Sequence, residues 1–133
     1  MKVVVGYDGS DGARRALDRA IALAGDDGQL TVIAAAETHA RPGITEGARL
    51  DPSEIDRRRK DLEEAKGILA ERGVKGETLE AQGDPGDVIL DSAKDADLVV
   101  VGSRGLNPFQ RLLLGSVSSK VVHRAECDVL VVR

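Results

Sequence analysis

Leu98-Val99-Val100-Val101-Gly102-Ser103-Arg104-Gly105, followed after nine residues by Gly115-Ser116-Val117, is the stretch on which the reading turns. Its first four residues form an unbroken apolar, β-branched run, which predicts a strand buried on both faces. The chain then passes Gly102 and Gly105 and restarts at Gly115-Ser116 as the head of a helix, a spacing of Gly-x2-Gly-x9-Gly-Ser. Glycines at these points allow sharp turns and let a bulky anion approach the main chain. Ser116 is a candidate N-cap, and the free N–H groups of the next turn form a natural anion seat. From Leu98 to Ala125 there is no Asp or Glu, whereas Arg104, Arg111, Lys120 and Arg124 all fall inside. In a chain of net charge -4, this acid-free window is where an anion is expected.

Outward from this window the chain alternates regularly. Val3-Val4-Val5-Gly6 is a short buried strand, and Tyr7-Asp8-Gly9-Ser10 leads into a helix with Ala13, Ala16, Leu17, Ala20, Ile21 and Ala24 at helical spacing. Gly25 is placed to end it. Leu30 to Ala36 predicts a second strand, whose closing alanines are weak strand formers and so are kept small for another reason. The span His39 to Pro52 lacks periodicity and carries Pro42, Gly43, Gly47 and Pro52, so a mobile loop is expected there. A second helix follows from Ser53 to about Arg72, with a narrow apolar stripe of Ile55, Leu62, Ala65 and Leu69. The basic run Arg57-Arg58-Arg59-Lys60 is surrounded by Asp56, Asp61, Glu63 and Glu64, which predicts a solvated, ion-paired face. Thr78 to Ala81 alternates as an edge strand. Asp84-Pro85 opens a third helix, a fourth runs from Ser116 to Ala125, and Val129-Leu130-Val131-Val132 closes the chain as a strand.

This alternation predicts an α/β fold: one three-layer domain over residues 1–133, with a five-stranded parallel sheet and helices on both faces. Right-handed crossovers favour strand order 3-2-1-4-5, which reverses its direction of growth between the first and fourth strands. Ligands bind at such a switch point, outside the carboxyl ends of the strands. Those ends are Gly6-Tyr7-Asp8-Gly9-Ser10 and Gly102-Ser103-Arg104-Gly105, so the two glycine-rich turns converge on one crevice.

Composition narrows the function. Charged residues make up 32% and hydrophobic residues 41%, which suits a soluble globular domain, while aromatics are only 2% and offer no platform for stacking bases. With an acidic balance as well, no nucleic-acid partner is expected. No apolar run is long enough to span a bilayer, and Met1-Lys2 leads directly into a strand, so neither a membrane segment nor a signal peptide is expected. Cys127 has no second cysteine to pair with, and the expected location is the cytoplasm. No Gly-x4-Gly-Lys-[Ser/Thr] occurs, and Gly6, Gly9 and Gly12 do not space as a dinucleotide fingerprint. His39 and His123 lack companions at metal-ligand spacing.

The Gly-x2-Gly-x9-Gly-Ser window resembles the nucleotide-binding signature of the universal stress protein family, whose ATP-binding branch carries Gly-x2-Gly-x9-Gly-[Ser/Thr]. Gly102, Gly105, Gly115 and Ser116 match it position for position. Val5 to Ser10, Gly83-Asp84-Pro85, Leu112 to Val117 and Val129 to Val132 resemble other elements of the family, so the likeness spans nearly the whole chain. Asp128 departs from it, since relatives usually carry Pro there. The resemblance implies an adenine nucleotide alpha hydrolase-like fold and ATP, with Mg²⁺, as ligand. It implies that Gly6, Asp8 and Ala35 line the site together with Gly102, Ser103, Arg104, Gly105, Gly115, Ser116 and Val117. Asp8 is assigned to the ribose or the magnesium ion.

A homodimer is also expected. The final strand, Val129 to Val132, lies at the sheet edge as an apolar edge blunted only by Asp128 and Arg133, and the resemblance implies the same pairing. Three roles are compatible with the residues. A nucleotide-binding regulatory protein is the first, a partner-binding stress protein with an empty crevice the second, and a slow ATPase or phosphotransferase the third. No paired acid and base stands out to activate water or an acceptor hydroxyl, which places binding ahead of efficient catalysis.

Overall fold

The computed structural model describes residues 1–36, 38–39, 49–103 and 115–133. In chain order it contains β1 (Lys2–Gly6), α1 (Asp11–Ala24), β2 (Gln29–Ala36), β3 (Thr38–His39), β4 (Arg49–Leu50), α2 (Pro52–Glu71), β5 (Glu77–Gln82), α3 (Pro85–Ser92), β6 (Leu98–Gly102), α4 (Ser116–Arg124) and β7 (Asp128–Val132). Five strands form a parallel sheet in the order β5-β2-β1-β6-β7, which is the expected 3-2-1-4-5. The central strand β1 sets Val3 opposite Leu30 on one side and opposite Leu98 on the other.

The short β3 and β4 pair antiparallel, Thr38 opposite Leu50 and His39 opposite Arg49, as a ribbon absent from the sequence reading. Strands of two residues are too short for periodicity to reveal. Residues 40–48, most of the predicted loop, lie outside the described residues.

Pleating sends successive side chains to opposite faces, and the valines of β1 show it. Val3 and Val5 join Leu17 of α1, Val32 of β2 and Leu62 and Leu69 of α2 in one buried cluster. Val4 joins Ile33, Ile89 of α3, Val99, Val101 and Val121 of α4 in a second, smaller one. Helices α1 and α2 therefore cover one face, α3 and α4 the other. Among the described residues no helix is long and apolar enough to cross a membrane.

The helix boundaries follow local chemistry. Ser10 caps α1 by accepting from the Ala13 amide, and Gly25 ends the helix with φ of 65°. Asp51 accepts from the Ser53 amide to cap α2, with Pro52 in the first turn, and Asp84 accepts from the Asp87 amide to cap α3, followed by Pro85. The fourth helix differs. Its N-cap is Gly115 rather than the expected Ser116, and no side chain caps it.

Candidate functional site

At the carboxyl ends of β1 and β6 the sheet opens into a cleft of about 350 Å³. Its floor is formed by Gly6, Ile33, Ala35, Val101 and Gly102, from the ends of β1, β2 and β6. Ala35 is buried near the end of β2, and its small side chain lines the cleft. Tyr7 and Asp8 form the near wall, Gly115, Ser116 and Val117 another, and Glu54, Arg57 and Arg58 of α2 a third.

The α4 side is built from backbone. The Gly115 amide donates to the Ser103 carbonyl at 2.7 Å, and the Ser119 amide to the Gly115 carbonyl at 2.9 Å. Among the described residues, the intervening amides of Ser116, Val117 and Ser118 have no acceptor. Such unsatisfied N–H groups carry the positive end of the helix dipole, and here they belong to a helix whose first two residues line the cleft. The Ser118 hydroxyl does not cap them. It donates to the Gly115 carbonyl at 3.0 Å and lies 3.4 Å from the Ser103 carbonyl.

The turn after β1 is held by its own polar groups. Asp8 Oδ1 accepts from the Ser10 amide at 3.0 Å, and Gly9 adopts φ of 76°, where a side chain would be strained. Asp61 of α2 lies against Gly9, and a Cβ there would sit 2.5 Å from Asp61 Oδ1. Arg58 Nε and Asp61 Oδ2 stand 3.0 Å apart but without hydrogen-bond alignment, although both side chains are largely buried. Burial raises the Asp61 carboxyl above its ordinary value, against the opposing pull of Arg58. Beside it the buried Tyr7 hydroxyl donates to Glu64, which Arg14 also holds through Nε at 2.7 Å. Burial, and then the bond to Glu64, push the Tyr7 phenol above its ordinary value. The Arg14 bond, and then that of Tyr7, hold the Glu64 carboxyl below its own.

The sequence profile of the universal stress protein family matches residues 1–133. The chain belongs to that family. Universal stress protein YxiE of Bacillus subtilis is 39% identical to it over 99% of this chain and 98% of its own length. A universal stress protein solved in complex with cAMP is 33% identical, covers 100% of this chain and 97% of its own, and superposes with a TM-score of 0.73. A universal stress protein family protein from Arabidopsis thaliana, solved with AMP bound, is 27% identical over 99% of this chain and 90% of its own, with a TM-score of 0.72.

In this universal stress protein the structure brings Gly6, Asp8, Ala35, Gly102, Gly115, Ser116 and Val117 together around one cleft. Arg104 and Gly105 lie outside the described residues. Ser103 is not among the residues that line the cleft. It is buried, its amide donating to the Val132 carbonyl at 2.8 Å and its carbonyl accepting from Gly115, so it ties β7 and α4 to the end of β6. Gly102 lines the cleft and also packs tightly on α1: a Cβ would lie 3.0 Å from the Gly12 carbonyl carbon and 3.1 Å from its oxygen.

The charge balance also differs from the sequence expectation. Lys120 bonds Asp84 at 2.9 Å and Asp87 at 3.2 Å, and Arg124 approaches Asp87 at 4.0 Å, so acids from α3 engage two cations of the acid-free window. Conversely, Arg57 and Arg58 come from the run read as a solvated face. Ion pairing holds for Arg57, Arg58 and Arg59, with Glu54, Asp61 and Glu80 respectively, yet the first two also face the cleft. The helical spacing of Glu54, Arg57 and Arg58 on one face was the available signal. It had no address until the fold set α2 beside β2.

Proposed function

We propose that this universal stress protein binds an adenine nucleotide, ATP accompanied by Mg²⁺, in the cleft between β1 and β6, and acts as a nucleotide-responsive regulatory protein. The observation that carries this reading is the start of α4 on the switch-point cleft, where no side chain caps the helix and, among the described residues, three amides have no acceptor. A phosphate group is a chemical match for that donor set. The apolar end formed by Ile33 and Ala35 suits the base, and the relatives solved with AMP and cAMP support an adenine nucleotide as the class. Asp8, on the cleft wall, would offer its carboxylate to a ribose hydroxyl or to the magnesium ion.

Among the described residues no group of three or more His, Cys, Asp and Glu could hold a metal by itself. The Mg²⁺ ion would be carried in on phosphate oxygens, with Asp8 adding one carboxylate from the cleft wall. Bound Mg²⁺ would neutralise phosphate charge, while the chain's own residues seat the phosphates, fix the sugar and shield the base.

We further propose a homodimer joined along β7, which lies at the edge of the sheet with Val129, Leu130 and Val131 only half-buried.

Mass spectrometry of small molecules released from purified, denatured protein, followed by titration calorimetry, tests the nucleotide reading. An adenine nucleotide bound at micromolar affinity, about 8 kcal/mol, is the expected result. Absence of binding by any adenine nucleotide would end it. ATP turnover above about 1 s⁻¹, the lower range of ordinary enzymes, would replace the regulatory role with an enzymatic one.

A further inference from the structure

We propose that Glu54 reads the amino group of the base, making α2 the specificity-determining wall of the cleft; this rests on the nucleotide reading above. Helix α2 packs over β2 and β5, whereas α4 lies on the other face beside β7. Glu54 of its first turn thus lines the cleft from the α2 side of the sheet, whereas the amides of α4 that would take phosphate come from the opposite side. The Glu54 side chain is only 21% exposed, and its partner there is Arg57, itself 63% exposed and 3.3 Å away. A half-buried carboxylate repels phosphate, so in an anion-binding cleft it belongs where the ligand presents a hydrogen-bond donor.

A nucleotide offers two kinds of donor, the ribose hydroxyls and the exocyclic amine of the base. Asp8, on the turn after β1, is placed for the first. Glu54, on the α2 wall of the cleft, takes the second. With Arg57 beside it, the wall presents an acceptor next to a donor. Adenine offers the complement, an amino donor beside ring-nitrogen acceptors, while hypoxanthine sets a carbonyl oxygen in place of the amine. That oxygen would face the Glu54 carboxylate with no proton between them, and a polar site left unpaired in this way rejects its ligand strongly.

The test is titration calorimetry of the full chain with ATP, ITP and dATP, for wild type, Glu54→Ala and Glu54→Gln, with matched melting curves of the free proteins. Wild type should prefer ATP over ITP by about tenfold or more. Glu54→Ala should bring that ratio close to one while the ATP to dATP ratio stays put. Glu54→Gln, which keeps an acceptor oxygen, should retain part of the preference. An unchanged ATP to ITP ratio in Glu54→Ala, with ATP still bound by wild type, overturns this proposal and leaves the nucleotide reading standing. A change confined to ATP against dATP moves Glu54 to the sugar and likewise overturns it. Failure of wild type to bind any of the three overturns both.

Discussion

The Gly115 amide donates to the Ser103 carbonyl at 2.7 Å, and this one bond fixes the start of α4 to the end of β6. Ser103 in turn gives its amide to Val132. Two residues that look like ligand contacts in the sequence thus have separate duties. Ser103 fastens the frame, and Gly115 presents the helix.

Two glycines of the motif should fail in opposite ways. Gly102→Ala places a methyl group 3.0 Å from main-chain atoms of Gly12, which cannot give as a side-chain tip can, and should cost about 1–3 kcal/mol of stability. Gly115 has φ of -63° and ψ of 164°, extended backbone open to any residue, so Gly115→Val should fold normally. Its side chain would enter the cleft at the amides and weaken nucleotide binding by more than about tenfold. Thermal melting and calorimetry on both variants separate these effects, and a Gly115→Val protein with wild-type affinity would remove the phosphate seat from α4.

Tyr7→Phe should destabilise the fold by about 1–2 kcal/mol, because a buried hydroxyl bonded to an ionised carboxylate is lost. The Tyr7 phenol titrates higher when folded than when unfolded. Its contribution is therefore complete below the unfolded value of about 10 and falls away as pH rises above it. Wild type should lose stability on the alkaline side, and Tyr7→Phe should lose less. Parallel alkaline profiles for the two proteins would exclude Tyr7 as the cause.

On the acid side Glu64 and Asp84 work in the reverse sense. Arg14, then Tyr7, hold down the Glu64 carboxyl, and Lys120 chiefly that of Asp84. Their stabilisation is present above the unfolded values, about 4.3 and 3.9, and is lost as pH falls through the lower folded ones. Asp61, raised by burial, acts against this trend. Asp84→Asn can still cap α3 but gives up the charge facing Lys120. Because the pair is half exposed, it should cost only about 0.5–1 kcal/mol at pH 7. The difference from wild type should close at strongly acid pH, and urea midpoints measured across the range would show whether it does.

The wild-type protein should sediment as a dimer at micromolar concentration, and Val131→Pro should shift it toward monomer by removing one N–H from β7 and distorting the edge. The parent sheet also uses this strand, with Val101 opposite Val131, so circular dichroism must accompany the sedimentation. A wild-type monomer would rule out the β7 seam.

The sequence showed the frame more fully than the site. Apolar runs at Val3, Leu30 and Leu98 placed the central strands, and Ser10, Gly25 and Asp84-Pro85 placed helix ends, because strand burial and capping are decided by neighbours in the chain. Handedness then supplied the strand order and the crevice. What stayed hidden depended on neighbours in space. The stretch around Lys120 has no acids along the chain, but α3 sets Asp84 and Asp87 against that lysine. Gly102 read as an opening for an anion, whereas the backbone of α1 occupies the space its side chain would need. Arg57 and Arg58 read as part of a solvated, ion-paired face until α2 was laid beside β2.

Three helices begin on side chains of their own: Ser10, Asp51 and Asp84 each accept an amide of the turn they open. The fourth begins on a glycine that offers none. A phosphate seated there would do for α4 what those residues do for the others, so the ligand would finish a secondary-structure element as well as fill a cleft. Occupancy would then register as order in the chain. The melting temperature should climb with nucleotide concentration, and amide exchange should slow first in the opening turn of α4.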